Sequence, residues 1–579
     1  MIKYRCDNCQ GLICETSTCP ICSERTVISE NKIFWCECCN IPIFDENCDI
    51  CNNKGIYIGT DIRPVFPEER LLIEVILGKP FEFANKSIWN TSGNNYIVDG
   101  QKIRFSVKET VSKFKADEIR DDILKNKKDN AKYEKDFYNN EYIEKFIKAN
   151  KIRLNLIINE ASQYIRNSVT GYNDDEMFVS FSGGKDSTVT SDLVINALRK
   201  ENIIHIYGDT TLEYPETENY LKRFREKYSR TPILIAKNKE QEFNELCKVI
   251  GPPSRVMRWC CTIFKTGAIT RKIESTFKDK RRVLTFYGVR RSESASRNKY
   301  DRESDSPKIT KQKVVSPIID WLDFDIWLYI LTKKIDFNYA YRLGFARVGC
   351  WCCPNNSSWA EFLSSIYMDK QYRDFNDILI DFAKRIGKPD PEDYIGSGGW
   401  KARQGGNGLE YSKNAIVQIK PCALAENTFN FELNKPISIM LYEFFKPFGI
   451  VNNVIGNKRL NEIYILSRKT NEPILKLSGR IGQSVLKVSI IKFTNQIKDI
   501  KTAERLIKKQ ITKYQTCIGC LACESVCKYN AIKISNINDT GNIDYKIKED
   551  KCTGCLECVN HFDGGCYMKK VLRTKKGEI

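Results

Sequence analysis

Histidine is nearly absent, with two in 579 residues. Imidazole metal sites and imidazole general bases therefore have little material to be built from. No run of about 18 apolar residues occurs, so no membrane-crossing helix is expected. The opening Met1-Ile2-Lys3-Tyr4-Arg5-Cys6 lacks the apolar stretch of a secretory leader. The G-x-x-x-x-G-K-[ST] spacing of a Walker loop is also missing. Positive charge and cysteine are plentiful instead. Lys and Arg number 92 against 73 Asp and Glu, a formal charge of +19. That balance suits an acidic partner such as a nucleotide or nucleic acid, and equally a lysine-rich solvated surface. Twenty-five cysteines without a secretion signal argue for metal in a reducing, cytoplasmic setting rather than for disulfides.

The cysteines are clustered, ten before residue 52 and eight after residue 516. Residues 1–58 carry Cys6-x-x-Cys9 with Cys19-x-x-Cys22, then Cys36-x-x-Cys39 with Cys48-x-x-Cys51. Paired knuckles of this kind predict two zinc-ribbon-like modules of four cysteines each, although iron also accepts four thiolates. So short a segment has no core of its own, which makes the metals structural. Residues 59–110 read as a small α+β module with an Asp99-Gly100 turn. They resemble the module preceding the RNA-binding domain of archaeal tRNA-modifying transglycosylases. Residues 111–169 are lysine-rich and charge-mixed at helical spacing, and are expected to form a charged helical linker. A tRNA-binding face is the other reading of that stretch.

The rest is organised around Ser182-Gly183-Gly184-Lys185-Asp186-Ser187. A short apolar strand precedes it and a helical pattern follows. Adjacent glycines let backbone N–H groups approach an anion, the helix points its positive end there, and Lys185 adds a full charge. The segment predicts a cradle for pyrophosphate or sulfate. The next apolar strand ends at Gly208-Asp209-Thr210, placing Asp209 where a carboxylate would hold ribose, magnesium or the adenine edge. A later strand ends at Gly288, followed by Arg290, Arg291 and Arg297, side chains suited to phosphate or sulfate.

These segments, with Pro215-Glu216-Thr217, Arg258-Trp259-Cys260-Cys261 and Ser316-Pro317-Ile318-Ile319-Asp320-Trp321, resemble the phosphoadenylyl-sulfate (PAPS) reductase family of the adenine-nucleotide α-hydrolase superfamily. The resemblance implies an α/β nucleotide-binding domain over 170–385 with a parallel sheet. It implies an adenine nucleotide as substrate, bound by Ser182, Gly183, Gly184, Lys185, Asp186, Ser187 and Asp209. Lys185, Asp186, Arg290 and Arg297 would then serve catalysis. Adenylyl-sulfate reductases use a similar Cys-Cys…Cys-x-x-Cys set for one [4Fe–4S] cluster, implying Cys260, Cys261, Cys350 and Cys353 as ligands; zinc is the alternative. Arg255, Arg258 and Lys265 would offset its charge. Two departures stand out. A complete S-G-G-K-D-S is more typical of relatives that cleave ATP, such as enzymes that adenylate tRNA before thiolation. The family's C-terminal cysteine tail is missing, leaving Cys352 and Cys422 as candidate attacking thiols.

Residues 386–510 open with a Gly-rich stretch and read as an α+β region without recognisable chemistry. Residues 511–579 resemble a bacterial two-cluster ferredoxin. Cys517, Cys520, Cys523 and Cys566 would hold one [4Fe–4S] cluster, and Cys527, Cys552, Cys555 and Cys558 the other. The expectation is an iron–sulfur oxidoreductase of sulfur metabolism, fed by an external electron donor, that reduces an adenylylated sulfate. The alternative is an ATP-dependent sulfur transferase acting on tRNA or another macromolecule.

Overall fold

The computed structural model describes residues 4–6, 12–14, 18–19, 21–24, 27–28, 31–91, 95–104, 106–306, 311–537 and 542–574. Its centre is a six-stranded sheet. In spatial order the strands are Ile233–Lys237, Ile204–Asp209, Met177–Phe181, Val283–Tyr287, Gln312–Val315 and Glu303–Asp305. The first five run parallel and the last is antiparallel. Met177-Phe178-Val179-Ser180-Phe181 is apolar on both faces because helices cover both. The chain leaves Met177–Phe181 toward one edge and later returns on its other side at Val283–Tyr287. The switch point therefore lies beyond the carboxyl ends of these two strands, where open α/β sheets bind ligands. The 182–187 segment and the Gly288–Arg290 turn both emerge there. This is the expected α/β class with a parallel nucleotide-type sheet.

The front of the chain packs onto this domain. The strands Ile33–Cys36, Ile41–Ile43 and Ile56–Gly59 form a small antiparallel sheet. A four-stranded sheet of Arg63–Pro64, Ile88–Asn90, Asn95–Val98 and Gln101–Arg104 follows, with the helix Pro67–Ile76 beside it. That helix buries Glu69, which takes two bonds from Arg63 (2.6 and 2.7 Å) and one from the Tyr96 hydroxyl (2.9 Å). The charged stretch forms the helices Ala116–Asp136, Glu141–Ala149 and Lys151–Ser168. The inner faces of the last two place Phe146, Leu154, Ala161 and Ile165 in the core shared with the central sheet. Arg153 forms a buried bidentate pair with Asp325, at 2.7 and 2.8 Å.

Residues 418–490 form a second, wholly antiparallel sheet of six strands. The helix Ile500–Thr516 lies between it and the C-terminal unit. Leu506, Ile507, Ile511 and Tyr514 share one core with Phe431 and Leu475 of the sheet and with Leu521, Ile534 and Tyr545 beyond it. The C-terminal unit pairs Ile532–Ile537 with Asn542–Ile547 and adds three short helices, Ala522–Ser525, Glu557–Asn560 and Tyr567–Val571. Among the described residues no helix is long and apolar enough to cross a membrane.

Candidate functional site

The cradle forms as a tight strand-to-helix turn. Gly183 sits at φ +70, a conformation that a side chain would strain. The Ser182 amide donates to Ser187 Oγ (3.2 Å), and the two serine oxygens lie 3.1 Å apart. Asn338 holds the turn from outside, donating to Gly183 O (3.3 Å) and Thr217 Oγ1 (2.8 Å). The Lys185 amide donates to the Tyr341 hydroxyl at 3.0 Å. Gly288 brings the end of Val283–Tyr287 against the same turn. A Cβ there would lie 2.6 Å from the Asp186 carbonyl group.

Lys185, Asp186 and Arg290 meet as expected, in a buried charge network. Arg290 Nε donates to Asp186 (2.5 Å) and Arg290 Nη2 to Asp323 (2.6 Å). Lys185 Nζ lies 3.2 Å from Asp323 and 3.4 Å from Asp186. Burial opposes charge on Lys185, Arg290 and Asp323. The facing cations nevertheless hold Asp323 below its usual range, and the facing carboxylates hold Lys185 and Arg290 above theirs. Asp61 joins from the front module, accepting the Asp323 and Phe324 amides at 3.0 Å each. Burial first, then the Asp323 charge, push its carboxyl upward.

Asp61, Asp323, Asn338 and Tyr341 were not singled out in the sequence. Asp323 stands two residues past the Trp321 motif, at the first position of the helix Asp323–Lys333. That helix-start signal was legible; Asp61 carried none. Two other expected residues point elsewhere. Asp209 caps Thr211 N (2.8 Å) and pairs with Lys237 (3.2 Å), while Arg297 pairs with Glu293.

The inner cysteines gather beside the strand Ile204–Asp209. The Cys350 backbone pairs antiparallel with Glu213, Trp351 N donates to Leu212 O (3.0 Å), and Cys350 Sγ lies 3.5 Å from Thr210 Oγ1. Cys260 precedes a π-helical turn, Cys261–Thr266, a distortion frequent at functional sites. The Cys261 thiol acts on both Cys350 and Cys353, and Cys260 is acted on by Cys350. Lys265 faces Cys350, and Arg347 and Arg258 face Cys353, so cations line the set. Arg255 donates instead to Pro354 O, at 3.3 Å. Cys352 is buried nearby, its thiol raised well above the usual range by burial. Cys422 lies on the second sheet, its amide bonded to Thr428 O (2.8 Å).

Three kinds of cysteine set emerge. Cys36, Cys39, Cys48 and Cys51 have all sulfurs within 4.8 Å of one another. A tetrahedron with Zn–S near 2.3 Å puts sulfurs about 3.8 Å apart, so one zinc ion fits. Of the other expected front quartet, Cys9 lies outside the described residues, Cys6 ends the strand Tyr4–Cys6, Cys19 is buried and Cys22 half-buried. Among the described residues the inner set and the two C-terminal quartets are not drawn together this tightly. Four thiolates in each set are the donors that a [4Fe–4S] cluster takes. Lys513 supports anionic clusters at the C-terminal end. It is 1 % exposed, and among the described residues no carboxylate pairs with it. Its Nζ donates to Cys558 O (2.5 Å). Burial opposes its charge, but the facing Cys523, Cys558, Cys566 and Cys517 raise it overall. A buried cation between two thiolate quartets suits a negatively charged cluster on each side.

Residues 176–356 match the family model of the phosphoadenosine phosphosulfate reductase domain, and residues 516–561 that of a 4Fe-4S dicluster domain. An uncharacterised protein of Methanocaldococcus jannaschii is 27 % identical over 57 % of this chain and 88 % of its own length. Adenosine 5'-phosphosulfate reductase of Neisseria meningitidis serogroup B is 30 % identical over 32 % of this chain and 73 % of its own. The phosphoadenylyl-sulfate reductase structure from Candida auris, a phosphate complex, aligns with a TM-score of 0.27 at 16 % identity, covering 37 % of this chain and 96 % of that one. With its switch-point cradle, its inner cysteines and its C-terminal cysteine quartets, the chain belongs to the phosphoadenosine phosphosulfate reductase family and carries a 4Fe-4S dicluster domain.

Proposed function

We propose that the protein reduces an adenylylated sulfate, adenylyl sulfate or its 3'-phosphorylated form, to sulfite, with electrons received through its ferredoxin-like domain. The observation that carries this reading is the packing of Cys260 and Cys350 in one core with Cys520 and Cys566 of the C-terminal unit, with Cys261 facing both Cys350 and Cys353. The reaction breaks the bond between sulfur and the bridging oxygen. Two electrons become the lone pair of sulfite, and the oxygen leaves as the phosphate oxyanion of the nucleotide. The co-reactant is a low-potential one-electron donor, two equivalents per turnover.

In this reading the 182–187 turn cradles the nucleotide phosphate, and Lys185 and Arg290 exchange carboxylate partners for it. Arg258, Lys265 and Arg347 attract the sulfate end toward the inner cysteines. A [4Fe–4S] cluster held by Cys260, Cys261, Cys350 and Cys353 would supply electrons and polarise the sulfate. The complete cradle favours a second reading, cleavage of ATP to AMP and pyrophosphate with thiolation of an RNA.

One assay separates them. Anaerobically purified, dithionite-reduced protein is offered phosphoadenylyl sulfate, adenylyl sulfate, or ATP with and without bulk tRNA. Sulfite with an adenosine phosphate is the expected product. Pyrophosphate from ATP, rising with tRNA and without sulfite from either sulfonucleotide, would overturn the first reading.

A further inference from the structure

The ferredoxin-like unit is docked with one of its two quartets turned inward. Its short helix Ala522–Ser525 lies against the π-helical turn after Cys260 and the helix Gly267–Thr276. Arg271 clasps Glu524 with two bonds (2.7 and 2.9 Å) and also donates to Ile534 O. Asn530 bonds Glu274 beside them. Gly267 leaves room for Leu521, since a Cβ there would lie 2.9 Å from Leu521 Cβ. Cys520 and Cys566 thereby enter the same core as Cys260, Cys350 and Cys352.

Tyr567, the residue after Cys566, fills the gap. Its ring joins that core, with Phe562 edge-on at 5.9 Å. Its hydroxyl meets Thr262, and Cys520, Cys260 and Cys261 all face it. The other quartet points away. Cys555 is exposed and Cys552 half-buried, along a shallow cleft with Pro447 and Tyr529. Lys513 lies between the two quartets.

We propose that Tyr567 is a positioning residue that sets the contact between the Cys517/Cys520/Cys523/Cys566 quartet and the inner cysteines, making this quartet the outlet toward the nucleotide and the Cys555 side the inlet from solvent. This deepens the proposed function and rests on its assignment of iron to the inner set. Each sulfonucleotide requires two one-electron passages along this line, the external donor being oxidised twice.

The test uses the full-length chain, loaded anaerobically and fully reduced with dithionite, without sulfonucleotide. Electron paramagnetic resonance reads spin coupling to the inner set. Coupling is expected in the unaltered protein and in Tyr567→Phe. Tyr567→Ala and Arg271→Glu should lose it at unchanged iron content, and the charge swap Arg271→Glu with Glu524→Arg should restore it. Cys520→Ser should abolish the coupling, and Cys555→Ser should leave it. Coupling that persists in Tyr567→Ala, that is lost in Cys555→Ser but not in Cys520→Ser, or an unaltered protein with about eight irons, would overturn the assignment. No sulfonucleotide enters the measurement. Failure to form sulfite would therefore remove the proposed reaction and leave this result standing.

Discussion

Two buried residues, each paired without a carboxylate among the described residues, carry opposite lessons about charge. Lys513 is held charged where the facing cysteines are thiolates, so removing its charge acts on whatever those thiolates hold. Lys513→Met is expected to lower the midpoint potentials of both C-terminal clusters by about 60 mV, a decade for a one-electron couple. Potentiometric titration followed by electron paramagnetic resonance checks this, and unchanged potentials would count against the charge-balance role. His205 is the opposite case. It is fully buried, bonds Ser191 Oγ (2.7 Å) and Ile203 O (2.9 Å), and burial lowers it from 6.5 to about 4. A group whose folded value is depressed contributes stability present above 6.5 and lost as pH falls through 4. The loss amounts to about 3 kcal/mol. His205→Gln should flatten the pH dependence of the urea midpoint across that window. The apolar strand that carries His205 was legible in the sequence, but its hydrogen bond to Ser191 was not. The Cys36, Cys39, Cys48 and Cys51 quartet was legible because paired knuckle spacing encodes its chemistry, whereas Asp61 and Asp323 became site residues only through a contact 262 positions apart in sequence.

Among the elements, the nucleotide sheet was the most readable, since short apolar runs ending in Gly, Ser and Asp announce buried parallel strands. The helices over 116–168 were harder. Their lysine-rich outer faces read as solvated; the narrow stripe of Phe146, Leu154, Ala161 and Ile165 fastens the last two to the core, and Ile119 packs the first against Leu71 and Phe362. The antiparallel sheet over 418–490 was only partly foreseen, because its alternation is weak and its partner helix lies outside that range. Within the site, strand end and turn meet most tightly at Gly288 against Asp186. Gly288→Ala would place a methyl within 2.6 Å of backbone atoms. Either the turn or the strand end must shift, at about 1–3 kcal/mol. The variant is expected to melt earlier and to bind adenine nucleotide weakly by equilibrium dialysis, with the visible iron–sulfur absorbance unchanged. Unaltered affinity would show that the cradle does not depend on this contact.

Across the whole molecule, the front zinc set and the nucleotide network are joined through one packed path. The Phe44 amide donates to Asn150 Oδ1 (2.9 Å), and Asn150 in turn donates to Pro42 O (3.2 Å). The Phe44 ring lies under the Arg153 guanidinium, 3.4 Å from the ring centre, and 6.1 Å from the Phe324 ring. Phe324 follows Asp323, which holds Lys185 and Arg290, and Asp61 caps both Asp323 and Phe324 from the front module. Ile33, Trp35 and Ile41 belong to the same core as Phe324 and Trp327. A metal that orders residues 33–58 therefore also orders the helix carrying Asp323, because a small unit of this kind draws its folding energy from the ion. Removing zinc with a chelator, or replacing Cys39 by serine, is expected to lower nucleotide affinity at least severalfold and to reduce melting temperature. Iron content and iron–sulfur absorbance should stay intact, since their ligands lie elsewhere in the chain. Zinc analysis, equilibrium dialysis with an adenine nucleotide and visible absorbance on one sample make the comparison. If affinity is unchanged after zinc loss, the front ribbon is a separate appendage and the Phe44–Phe324 path carries no coupling. If affinity falls while iron is retained, the front module is part of the nucleotide site, and its Asp61 belongs with Lys185 and Arg290 rather than with the linker that precedes them.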